Sequence, residues 1–92
     1  MNKKKINFNI PFKGLDDKAV VENAQELNIG QILASRIAYS NRGAGKLMFL
    51  GFDIYKGNEL ELDASDVSLL RNFVEEDDAM TNLLKYRILE LL

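Results

Sequence analysis

The sequence contains no cysteine, no histidine and no tryptophan, and it has one proline among 92 residues. Without cysteine there is no disulfide framework, no zinc-thiolate site and no thiol nucleophile. Without histidine the chain lacks the side chain that most often carries protons near neutral pH and most often binds transition metals. Only carboxylate sites for hard cations remain, and Glu75-Glu76-Asp77-Asp78 has neither the alternating ligands nor the glycine of a calcium loop. That run reads as a solvated acidic turn, which could also face a basic partner. Ser35, Ser40, Ser65, Ser68 and Thr81 have no histidine to activate them, so no catalytic apparatus is recognisable and the chain is not expected to be an enzyme. No cofactor is expected.

A long apolar run is also missing. The densest, Leu47 to Tyr55, is interrupted by Gly51 and Asp53 and falls short of the roughly 20 residues that span a bilayer. The basic start Lys3-Lys4-Lys5 leads into the alternating Ile6-Asn7-Phe8-Asn9-Ile10 rather than the apolar stretch of about 7 to 15 residues of a signal peptide. Neither secretion nor membrane insertion is expected, and a cytoplasmic location follows.

What is present is an ordinary globular composition, 47% hydrophobic and 28% charged, in a length suited to one domain spanning residues 1–92. The net charge is −2, yet residues 1–46 carry eight basic and four acidic side chains while residues 47–92 carry four and ten. The simplest expectation is that the two halves attract each other within one fold. Aromatic residues are not interleaved with lysine and arginine in any one element, so nucleic acid is not an expected partner.

Lys4 to Phe12 alternates, with Ile6, Phe8, Ile10 and Phe12 on one side, which predicts a half-buried strand. The turn chemistry of Lys13 to Lys18 would return it through Ala19-Val20-Val21-Glu22, giving a β-hairpin over residues 1–22. A helical part over residues 28–92 follows. Asn28 can cap a helix from Ile29 to about Ser40, Asp63 a helix from Ala64 to Glu75, and Thr81 a helix from Asn82 to Leu92. Glu59 to Leu62 alternates briefly, as a short third strand or an extended link. The fold class is α+β, with an N-terminal β-hairpin packed against three or four α-helices. The helix from Lys46 to Lys56 lies at the centre.

Two stretches are candidate sites. Arg42, Gly43, Gly45 and Lys46 could hold an anionic ligand on side-chain charge and backbone amides. A nucleotide-hydrolysing phosphate loop is excluded, because Ser40 stands where the first glycine belongs, Leu47 replaces the hydroxyl residue, and a helix precedes it. The second stretch is Leu47 to Tyr55, apolar almost all round, which must be buried either by its own domain or by another subunit. In the latter case Met48, Phe52 and Tyr55 lie on a surface closed by a second copy or another protein. Self-association would then take two-fold, dimeric form.

Lys5-Ile6-Asn7-Phe8-Asn9-Ile10-Pro11-Phe12-Lys13-Gly14-Leu15-Asp16, with Leu60-Glu61-Leu62-Asp63-Ala64-Ser65-Asp66 and the closing Leu83 to Leu92, resembles a group of small uncharacterised proteins of tailed phages and prophages. The resemblance implies an intracellular, phage-derived accessory protein and assigns no functional residue. The leading expectation is therefore a non-enzymatic interaction protein that binds a host or phage protein, for instance as an inhibitor. The alternatives are a protein that sequesters a small anionic ligand or nucleotide, and an assembly chaperone for a phage structural protein.

Overall fold

The alternating segments at the start and middle of the chain meet in one ladder. In the computed structural model, which describes residues 3–42 and 45–92, β1 (Lys4–Asn7) pairs antiparallel with β4 (Glu59–Leu62). The register sets Ile6 opposite Leu60 on the buried side and Lys5 opposite Glu61 on the exposed side. Unlike charges directly across an antiparallel pair favour that register. Glu59 to Leu62 is thus a strand and not merely a link.

Within residues 1–22 the chain does turn back on itself, through a bridge of Lys13 with Ala19 and a bond from the Val20 N–H to the Phe12 carbonyl. The ladder along β1, however, comes from β4, and the regular hairpin of this region is β2 (Val21–Glu22) with β3 (Gln25–Glu26). The reason lies in what each candidate offers. Leu60 and Leu62 extend the apolar side that Ile6 begins, whereas Val21 is exposed and has no apolar side to add. Asn23 and Ala24 take positive φ between β2 and β3, as a two-residue hairpin turn requires.

Four helices complete the α+β architecture: α1 (Ile29–Ala38), α2 (Gly45–Tyr55), α3 (Ala64–Glu76) and α4 (Asn82–Leu89). The starts of α1, α3 and α4 are fixed locally. The Asn28 side chain accepts from the Gln31 N–H at 3.1 Å, and Thr81 accepts from the Leu84 N–H at 3.2 Å. Asp63 and Asp66 satisfy each other's backbone amides in a capping box. Each helix contributes one stripe to a single core, in which Phe8, Leu33, Ile54, Leu70, Val74 and Ile88 are almost completely buried. Among the described residues no helix is long and apolar enough to cross a membrane.

The charge asymmetry of the sequence resolves inside the molecule. Arg36 meets Asp77 at 3.0 Å and Lys46 meets Asp66 at 2.8 Å, so the basic first half faces the acidic second half. In the reverse sense, Arg87 of α4 holds the loop after β1, donating to the Lys13 and Gly14 carbonyls and pairing with Asp17 at 3.0 Å.

Where α1 begins, it lies directly on the backbone that follows β1. A Cβ added at Gly30 would sit 2.9 Å from the Phe8 carbonyl oxygen and 3.2 Å from its carbon. Gly30→Ala is therefore expected to lower unfolding stability by about 1–3 kcal/mol in urea titration, although alanine is intrinsically the better helix former by about 1 kcal/mol. A gain in stability would contradict the contact.

Candidate functional site

The helix α2 divides its apolar residues between two sides. Leu47, Leu50, Gly51 and Ile54 recur at helical spacing and are buried in the core. Phe49, Phe52 and Tyr55 point away from it and are exposed, and Met48 is half-buried. The segment is thus neither wholly core nor wholly surface. Its core stripe closes the domain while three rings are left to solvent.

Two of them, Phe52 and Tyr55, border a groove of about 320 Å³ between α1 and α2. Ala34, Ser35 and Ala38 of α1 and Gly51 of α2 line it with small residues, while Tyr39, Met48, Phe52 and Tyr55 supply the large ones. Tyr39 stands at the C-cap of α1 and is 86% exposed; Phe52 and Tyr55 are 57% and 62% exposed. A single exposed ring needs no explanation, whereas three rings around one groove form an exposed apolar patch. Met48, Phe52 and Tyr55 are brought together here as the sequence suggested, with Tyr39 as an addition. The signal for Tyr39 was present: Ser35, Ala38 and Tyr39 form a stripe at helical spacing beside the core stripe of Ile29, Leu33 and Ile37.

The other candidate stretch is placed differently. Gly43 lies outside the described residues, and Gly45 opens α2 in an exposed position. The Arg42 guanidinium donates to the Phe73 carbonyl at 3.0 Å, lies 4.6 Å from the centre of the Phe73 ring, and has the Glu76 and Asp77 carboxylates at 3.7 and 3.8 Å. The Lys46 ammonium is engaged by Asp66, which raises its pKa above the usual lysine value. Each cation therefore faces carboxylates of its own chain, and their placement lends an anion site no support.

The acidic run is corrected at one position. Glu75, Glu76 and Asp78 are exposed, but Asp77 is 1% exposed and is no solvated turn residue. Its carboxylate accepts from the Ala79 and Met80 amides at 2.7 and 2.9 Å and from the Arg36 side chain at 3.1 and 3.3 Å. Burial alone would push its pKa up, but the two amides and the guanidinium outweigh it and hold the group below the ordinary carboxylate range. The Lys46 contact likewise holds Asp66 low against its burial.

Comparison with protein-family models, with curated proteins and with solved structures finds no match. The functional reading accordingly rests on the geometry of the face between α1 and α2.

Because the folded pKa of Asp77 is depressed, its contribution to stability is complete above the unfolded value near about 4 and is lost as pH falls through the lower folded value. Asp77→Asn should cost about 2–3 kcal/mol at pH 7 and should flatten the acid side of the stability profile, read by urea unfolding from neutral to strongly acidic pH. An unchanged acid side would contradict the assignment.

Proposed function

We propose that this chain is a non-enzymatic accessory interaction protein of the phage type, acting in the cytoplasm of its host cell by binding a host or phage protein. The observation that carries this reading is the cluster of Tyr39, Met48, Phe52 and Tyr55 around a groove lined by small residues. Tyrosine, phenylalanine and methionine are enriched where proteins meet, and truncating a ring at the centre of a contact is what most often destroys affinity. Inhibition is the simplest consequence, since a rigid pair of helices that covers a partner's surface blocks whatever that surface does. The same open face also suits an assembly chaperone, whose client would be a phage structural protein; both readings require apolar surface accessible before the partner arrives.

The two rings at opposite sides of the groove supply the test. Capture from host lysate with the wild-type chain and with the Tyr39→Ser/Tyr55→Ser chain, compared by quantitative mass spectrometry, should show one protein retained near stoichiometry by the first. Its recovery should drop at least about tenfold with the second, while the far-UV circular dichroism of the two chains stays the same. The identity of the captured protein separates inhibitor from chaperone. Equal recoveries across all proteins would overturn the reading.

A further inference from the structure

We propose that the first occupant of this face is a second copy of the chain, in a two-fold dimer with α2 packed antiparallel on its counterpart and Phe52 beside the axis. The inference rests on the reading of the face as a protein contact surface and adds the identity of one partner. Three observations carry it.

The first is spacing. Phe49, Phe52 and Tyr55 follow one another at intervals of three along α2, so they form one ridge that is symmetric about Phe52. A two-fold axis beside Phe52 sets each Phe49 against Tyr55 of the other copy and Phe52 against itself. A two-fold contact needs one patch that complements itself, and a ridge centred on its own middle residue has that property. Phe49 does not line the groove of its own chain and is 73% exposed, which leaves its ring available to the other copy.

The second is charge. Lys46 is already engaged by Asp66, and the charges that remain on and next to α2 are Asp53 and Lys56, of opposite sign. A patch that meets its own copy cannot carry net charge without repelling it. A patch built for a strongly acidic or basic partner would carry the opposite sign in excess, and this one does not.

The third is area. Aromatic side chains bury about 150–250 Å² each, so the exposed parts of Tyr39, Phe49, Phe52 and Tyr55 amount to about 400–700 Å² per copy. Complete burial of the four rings in two copies would cover about 800–1,400 Å², around the roughly 1,000 Å² expected of a specific interface. An interface at the small end of the specific range fits a reversible dimer, which another partner can displace.

Sedimentation equilibrium of the full chain from about 1 to 500 μM, the span in which weak reversible association is read, tests the proposal. The wild type should move reversibly between the 10.4 kDa monomer and twice that mass. Phe52→Asp should raise the dissociation constant at least about tenfold, and Leu15→Asp, the same kind of change on the exposed loop after β1, should leave it unaltered. If circular dichroism shows Phe52→Asp to be misfolded, Phe49→Asp takes its place. A wild type that stays monomeric throughout, or a Phe52→Asp chain that dimerises as well as the wild type, overturns the dimer. The two readings fail separately: a monomer that still captures a protein through Tyr39 and Tyr55 refutes the dimer alone, and a monomer that captures nothing refutes both.

Discussion

The carboxylate of Asp77, the most deeply buried charged group among the described residues, ties three segments of the helical part together. It is buried at the point where α3 ends and the link to α4 begins, and it receives Arg36 from α1 together with the amides of Ala79 and Met80. A buried carboxylate without such donors would be costly, so the link must bend and α1 must lie where Arg36 can reach. Arg42 adds a second guanidinium nearby, braced on the Phe73 ring and carbonyl. The direction of α1 is set from both ends, by Asp77 through Arg36 and by the close approach of Gly30 to the Phe8 carbonyl.

With α1 fixed in this way, α2 has little freedom in how it packs. Its stripe of Leu47, Leu50, Gly51 and Ile54 fills the space against α1, and Gly51 admits Ile37 closely enough that an added Cβ would lie 3.3 Å from it. That stripe joins the core, in which all four helices take part. Phe49, Phe52 and Tyr55 stay outside it; Phe52 and Tyr55 line the groove with Tyr39, and Phe49 stands exposed beside it. A short chain buries a limited share of its surface, and here the unburied aromatic surface is gathered on one helix instead of being scattered singly.

Much of this was legible from local pattern. The caps at Asn28, Asp63 and Thr81 act over three residues, and the structure has all three where the sequence places them. The four helices and the alternation of Glu59 to Leu62 are equally local. Strand pairing was less legible because it joins residues far apart in the chain. The alternation of Lys4 to Phe12 announces a strand but not its partner, and the nearest apolar segment was the natural candidate until Leu60 and Leu62 were seen to extend its buried side. Asp77 was illegible for a related reason. It sits in a run of four acidic residues that looks solvated throughout, and its cation lies 41 positions away. The candidate site was half legible: the apolarity of Leu47 to Tyr55 shows that burial is needed on more than one side, and only the placement of α1 decides which residues the core leaves over.

Phe52 and Tyr55 are more than half exposed, and the proposed contact role requires that the fold does not depend on them. Urea unfolding of the Phe52→Ser/Tyr55→Ser chain, at a concentration where the wild type is monomeric, tests it most directly. The change in unfolding free energy should lie within about 0.5 kcal/mol of the wild type, as for surface positions, while Leu50→Ala on the buried stripe of the same helix should cost about 2–5 kcal/mol. A loss from the serine pair as large as that from Leu50→Ala would place the two rings in the core and contradict the account.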